Sequence, residues 1–418
     1  MINGWKKGWK DPSENGPSTP TTEFYSGAIT GDPTDKWWPS MWAPRAIGAP
    51  AAWAQGINGK CVRVAVVDGY FGPLGPDTER KFDMTVSRFE TEPFVDGWDI
   101  PHGQWVSGVI GAEANNGKGT IGVAYGATLI AVQTLDGGGS GTISDIVKGI
   151  LYAAERKDKG GAGADIINLS LGGIISKPPK TKPGSRTRQE QAQDVSTILT
   201  KSLLFADKKG VFVVAAAGNT NTDLDVQRAS GQLQVPCEGV NVVCVSAFAP
   251  ISMCKGDCIE GITCAVPLDF GGANYSRKAS YSNYGTAIDI SAPGGDLLDP
   301  GTCWINDMVA TTDTDGYTTW QAGTSFASPH VAAAAALYIH KAVADSRRMS
   351  SLCSPTRTKT LINPDRIKNA IRRGAVVPPG DPTLIKRYFG AGLLNIPSTL
   401  RKIDQPLIDY IAANALLE

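Results

Sequence analysis

The sequence predicts an α/β fold: an open, mostly parallel β-sheet with helices on both faces, built as a single domain. Three observations carry this reading. Apolar runs of strand length recur along the chain, helical patterns separate them, and no internal repeat appears at solenoid periods.

Residues 1–41 are rich in Gly, Pro, Ser, Thr and Asp with scattered tryptophans, and read as an irregular N-terminal arm. The domain occupies 42–400. VRVAVVD (62–68) is an apolar run of strand length, of the kind buried on both faces of a parallel sheet. ATLIAVQTL (127–135), ADIINLSL (164–171), VFVVAAAGN (211–219) and VNVVCVSA (240–247) are similar. Helical patterns at 103–113, 144–157 and 194–209 supply the crossovers that parallel strands require. Two insertions break the alternation. The first, ISKPPKTKPGSRTR (175–188), is basic and proline-rich, and the second, MCKGDCIEGITCAVPLDFGG (253–272), carries three cysteines. DTDG (313–316) reads as a hairpin turn. GTSFASPHVAAAAAL (323–337) must be helical on its alanine content, yet it contains Pro329, which removes a helical hydrogen bond at about 3 kcal/mol. The extension 401–418 contains LIDYIAANALLE, the pattern of a short terminal helix.

Composition narrows the function. The 40 basic and 40 acidic side chains give a formal net charge of zero, which argues against nucleic acid or an anionic membrane as partner. No apolar run is long enough to span a bilayer. The start, MINGWKKGWKDPSENG, lacks an apolar h-region, whereas eight cysteines, an even number, fit a disulfide framework and an oxidising compartment. The two observations agree if the mature chain follows a removed presequence. A secreted or extracellular monomer is therefore expected.

A proline inside a strongly helical stretch breaks a local rule, and such breaks often mark a working site. Ser325 precedes it, and a serine hydroxyl becomes a nucleophile only when a neighbouring base takes its proton. The three histidines are His102, His330 and His340. The last two follow Ser325 on its own helix, a rigid rod that keeps their rings from folding back. His102, opening PHGQWVSGVIGA, is left as base. Asp68 ends VRVAVVD before Gly69, at the strand end where active groups gather in parallel sheets, and would orient the imidazole. Asn219 closes VFVVAAAGN at a second such end and would donate to an oxyanion beside the Ser325 backbone N–H. Taken singly, each has an ordinary explanation as a turn or cap. Jointly, order, flanks and settings point to catalysis.

VAVVDGYFG, HGQWVSG, INLSLGG, VVAAAGN, SNYGTAIDISAPG and GTSFASPHVAAAAAL together resemble the subtilisin-like serine proteases, the subtilase family. The likeness runs from about Trp42 through GAGLLNIPSTL, and the order Asp, His, Ser is the one known for subtilisin. It implies a subtilisin-like catalytic domain and a serine endopeptidase working through an acyl-enzyme on Ser325, with no cofactor for catalysis. By the same resemblance Ser170, Leu171 and Gly172 form one wall of a substrate groove, and Gly138, Gly139, Ser140 and Gly141 the other. Peptide would bind between them as an added strand. Ala216, Ala217 and Gly218 would line the first specificity pocket, with Gln234 near its floor. The arm before Trp42 is too short to hold the family's inhibitory pro-domain, and 1–41 is expected to be an irregular arm or a propeptide remnant.

Two departures stand out. DGY replaces the more usual serine or threonine after the Asp-Gly pair, and Trp105 stands where the family often has histidine. Neither removes a catalytic group. His330 is expected to pack or bond locally, Ser328 to be a small first-turn residue, and His340 to lie on the helix surface. Cys237 and Cys244 flank a short turn and could bridge; zinc at Cys254, Cys258 and Cys264 is disfavoured without a histidine or paired CxxC. Structural calcium is implied by the family, with Asn115 and Asn116 in ANNGKGTIGVAYG (114–126) as candidate ligands. The rivals are weaker. An α/β-hydrolase needs G-x-S-x-G where this chain has GTSFA, and a sedolisin would replace His102 with a carboxylate and Asn219 with aspartate. A non-catalytic or self-processing protein on the same scaffold, with a blocked cleft, is the alternative from another class.

Overall fold

The computed structural model describes residues 27–89, 99–176, 188–250, 258–259, 263–264, 275, 277–296, 304–354, 357 and 362–414, with backbone alone at 188–195, 258–259, 263–264, 304 and 315. The strands in chain order are β1 (Arg63–Asp68), β2 (Thr128–Gln133), β3 (Ile166–Leu169), β4 (Gly173–Ser176), β5 (Phe212–Ala216), β6 (Gln232–Val235) and β7 (Val242–Ala249). They continue with β8 (Cys258–Ile259), β9 (Thr263–Cys264), β10 (Arg277–Lys278), β11 (Ile290–Pro293), β12 (Val309–Thr312) and β13 (Thr318–Gln321). Among the described residues the central sheet runs β10-β7-β5-β3-β1-β2, with β11 also on β7; only β10 is antiparallel.

β1 and β3 are neighbours although β2 lies between them in the chain, so the winding reverses there. At such a switch point the crossovers leave on opposite faces and a crevice opens beyond the strands' C-terminal ends. Asp68 closes β1, Ser170 follows β3, and Asn219 lies just beyond β5. All three therefore stand at that crevice.

β1, β3, β5 and β7 are buried along their whole length, as their apolar sequences predict. One face of the sheet is covered by the Thr324–Asp345 helix, where Ala332 to Ala336 are all buried. Side chains this small let the helix lie close to the sheet. The Ile143–Ala154 and Arg188–Lys208 helices pack together on the other side. β12 and β13 form the expected hairpin across 314–316, and Gln405–Asn414 is the expected terminal helix. The described part of the arm is irregular but packed, with Trp38 buried and Arg45 over its ring. The insertions expected at 175–188 and 253–272 fall mostly outside the described residues, apart from a two-stranded piece that sets Cys258 opposite Cys264.

Cys237 and Cys244 are bonded, as their spacing allowed, and Cys61 joins Cys353 across 292 positions. His330 bonds locally, its Nδ1 donating to the Phe326 carbonyl at 2.7 Å. His340 requires a correction. It is buried rather than on the helix surface, and its Nδ1 accepts from the Asn58 and Gly59 N–H groups at 3.1 and 3.2 Å. The reason is tertiary, because the helix is enclosed nearly all round and the 58–59 turn meets the ring's polar need. Burial pushes both histidines down to about 4. A base whose folded pKa is depressed contributes stability that is complete above its ordinary value and is lost as pH falls toward the folded one. For His340 the loss between about pH 6.5 and 4 comes to ~3 kcal/mol. His340→Gln should flatten the fall of the urea midpoint over that window; an unchanged slope would contradict this assignment.

Candidate active site

Asp68 is fully buried at the end of β1 and accepts the Gly69 N–H through Oδ1 at 2.6 Å. His102 opens the His102–Gly111 helix, and its Nδ1 lies 2.5 Å from the same oxygen. A carboxylate can only accept, so Nδ1 carries the proton and Nε2 presents a lone pair. About a quarter of the His102 side chain (27%) remains exposed. Burial alone would lower its pKa, but the Asp68 charge and hydrogen bond outweigh burial and hold it above the ordinary 6.5. The Phe326 ring meets the imidazole nearly edge-on at 5.8 Å, and Trp105 does so at 6.5 Å from its own helix. Phe326 is the residue after Ser325, which brings the base and the serine to one place.

Ser325 is the second residue of the Thr324–Asp345 helix, after Gly323 at the N-cap. Its Oγ donates to the Ser170 carbonyl at 3.1 Å. Thr324 holds Asn219: its backbone N–H and its hydroxyl both donate to Asn219 Oδ1, at 2.9 and 2.7 Å, while Gly218 N–H donates to the hydroxyl. With Oδ1 so occupied, Asn219 Nδ2 is turned the other way. A Cβ built on Gly323 would lie 3.4 Å from that Nδ2 and 3.6 Å from the Ser325 backbone nitrogen. The two donors thus border one small space that only glycine leaves open. Thr324 is a positioning group the sequence reading passed over; its place in GTS, next to the candidate nucleophile, was the available signal.

Asp68, His102, Asn219, Thr324 and Ser325 line a single cleft of about 560 Å³, together with Ser170, Leu171, Gly172, Ala216 and Gly218. Ala217 is packed in the core behind it. Of the glycine-rich stretch opposite, Gly139 lines the cleft. The stretch is a turn rather than a strand edge, closed by Asp136 N–H on the Ser140 carbonyl at 2.8 Å and Gly139 N–H on the Asp136 carbonyl at 3.0 Å. Gly138, Ser140 and Gly141 are exposed beside it. Gln234 lines the cleft, and a Cβ at Gly172 would come within 2.9 Å of its Nε2. Ile100 and Ile174 also line the cleft, 48% and 56% exposed, apolar groups that the sequence reading did not single out.

The loop proposed for calcium also has partners the sequence did not reveal. Asn115 N–H donates to Asp35 Oδ2, Asn116 Nδ2 to Asp77 Oδ1, and Thr120 N–H to Asp77 Oδ2. Asp35 and Asp77 are both 2% exposed, and burial pushes each up to about 6. Asp35 Oδ1 is buried and has no hydrogen-bond partner among the described residues. The unsatisfied Asp35 Oδ1 offers a hard cation one ligand, whereas the Asn115 and Asn116 side-chain oxygens already accept the Thr34 and Lys118 N–H groups. No cluster of three or more His, Cys, Asp or Glu side chains with metal-site geometry occurs among the described residues, so the remaining ligands would be backbone oxygens.

Comparison with known proteins agrees with the geometry. The model of the subtilase family matches residues 59–392, and the chain belongs to that family. It is 30% identical to the thermophilic serine proteinase of Bacillus sp. strain AK1, over 76% of this chain and 59% of that one. It is likewise 30% identical to thermitase of Thermoactinomyces vulgaris, over 73% of this chain and 84% of the relative. The chain spans about three-fifths of the length of the first curated relatives it matches, 59% and 60%. Among solved structures, the epidermin leader peptide processing serine protease of Staphylococcus aureus superposes with a TM-score of 0.66 at 21% identity, covering 91% of this chain and 85% of that one. A lanthipeptide protease gives a TM-score of 0.65 at 20% identity, covering 90% and 100%. At such identities the likeness concerns the fold.

Proposed function

We propose that this subtilase is a secreted serine endopeptidase. Ser325 Oγ attacks the peptide carbonyl while His102 Nε2 takes its proton, and the bond to the leaving amine breaks as His102 returns that proton to nitrogen. Water then hydrolyses the acyl-Ser325 ester through the same base. Asp68 holds the imidazole in the tautomer that keeps Nε2 free, and Asn219 Nδ2 with the Ser325 N–H stabilises the oxyanion. The observation that carries the reading is the His102–Asp68 hydrogen bond formed in the cleft bordered by those two donors. Peptide would run along Ser170–Gly172, its side chains meeting Gln234 in one pocket and Ile100 or Ile174 in another. Incubation with a peptide library, with product termini located by mass spectrometry, tests this. Cuts at internal bonds are expected, and intact peptides would leave the blocked-cleft alternative.

Calcium would be held by Asp35 and Asp77 with oxygens of the 114–120 loop, and would tie the arm to the domain. Its removal should lower the thermal midpoint of the folded chain, with recovery on adding calcium back. The effect should vanish in Asp77→Asn; an equal response in that variant would place the ion elsewhere.

A further inference from the structure

We infer that the Ser170 side chain is a positioning residue for the nucleophile, replacing the helical hydrogen bond that Pro329 removes. This rests on Ser325 being the nucleophile, and it differs from the groove role, which uses the Ser170 backbone. In an α-helix the carbonyl of residue i accepts from the N–H of residue i+4. For Ser325 that residue is Pro329, which has no N–H. The nucleophile's own carbonyl would therefore lack a donor at the buried start of the helix.

The donor comes from another element. Ser170 Oγ donates to the Ser325 carbonyl at 2.7 Å. A hydroxyl has one proton and two acceptor sites, and here all are used. With the proton on the Ser325 carbonyl, Ser170 Oγ accepts from Asn168 Nδ2 and from the Ser328 hydroxyl, each at 2.9 Å. Asn168 and Ser328 are fully buried and Ser170 nearly so, which leaves water no ready access to substitute. The exchange is reciprocal, because Ser325 Oγ donates in turn to the Ser170 carbonyl. Asn168 belongs to β3, in the middle of the sheet. The height of the nucleophile above the strand ends is thus set by β3 through one hydroxyl, while the missing N–H at 329 leaves the carbonyl free to be held from that side.

The test is a double-mutant cycle on residues 170 and 329, read as the rate of fluorophosphonate acylation per folded molecule and as kcat and KM separately. In the Pro329 background, Ser170→Ala should lower kcat and the acylation rate ten- to a hundredfold, with KM changed less than about threefold. Pro329→Ala restores a helical N–H to the Ser325 carbonyl, so in that background the same substitution should cost less than about threefold. Equal factors in both backgrounds, or no loss with Pro329 present, would overturn the inference. If Ser170→Ala does not fold, Ser170→Thr, which keeps the hydroxyl, must fold and react, and Ser170→Ala/Pro329→Ala must recover folding; failure of either overturns it as well. Wild-type protein that takes no label at Ser325 sinks the protease reading together with this one. Wild-type labelling matched by Ser170→Ala sinks only this one.

Discussion

Ser325→Ala should lower kcat about a million-fold, and His102→Ala nearly as far, a size known from subtilisin in this same family rather than derived from the distances. The geometry explains why the two act as one. The Ser325 proton can leave only to a lone pair, and His102 offers one at Nε2 because its Nδ1–H is engaged by Asp68. Without the base the hydroxyl stays a weak nucleophile, and without the hydroxyl the base has nothing to activate. The double variant should therefore be no slower than either single one. What remains above the uncatalysed rate comes from Asn219 Nδ2 and the Ser325 N–H, so Asn219→Ala should cost roughly 10²–10³ in kcat by a separate route. Steady-state kinetics on a peptide cut by the wild type, with folding checked by thermal midpoint, gives all four numbers. Additive losses for Ser325 and His102 would show that they do not share a step.

Asp68→Asn should cost about 10⁴ in kcat, because an amide can offer its N–H to Nδ1 and leave the proton on Nε2, the wrong tautomer for a base. The variant also moves the pH profile. In the wild type, burial pulls the His102 pKa down, but Asp68 overrides it and holds the pKa above 6.5. The acid limb of kcat/KM should therefore have its midpoint above 6.5, with activity present on the alkaline side and lost as pH falls through it. With asparagine only burial remains, and the midpoint should drop below 6.5. The stability linkage has the opposite sense: the ion pair's contribution is complete below 6.5 and fades as pH rises through the raised folded value. Maximal activity and maximal contribution from this pair thus fall on opposite sides of one titration. Identical acid limbs in the two proteins would detach Asp68 from the imidazole.

The parts of this site that could be read in the sequence are those written in local pattern. β1 is a largely apolar run ended by Asp68 and Gly69, and its partners carry the same mark, so the sheet and its C-terminal edge follow from burial. Pro329 likewise announced a missing helical donor. The donor that replaces it could not be read, because the Ser170 hydroxyl reaches the Ser325 carbonyl across 155 positions. Asp35 and Asp77 were illegible for the same reason: each looks like an ordinary turn residue until the 114–120 loop folds between them. His340 misled because helical spacing shows which side chains share a face but not whether another element covers it. The 138–141 stretch was expected as an edge, and its own turn hydrogen bonds instead engage the Gly139 N–H and the Ser140 carbonyl.

Covalent labelling by a fluorophosphonate reads most directly whether Asp68, His102, Asn219 and Ser325 act together on a bound carbonyl. Mass spectrometry of the digested adduct should find the phosphonyl group on Ser325 in the wild type, strongly slowed in His102→Ala and missing from Ser325→Ala. Folded wild-type protein that takes no label, or takes it equally when Ser325 is alanine, would contradict the account.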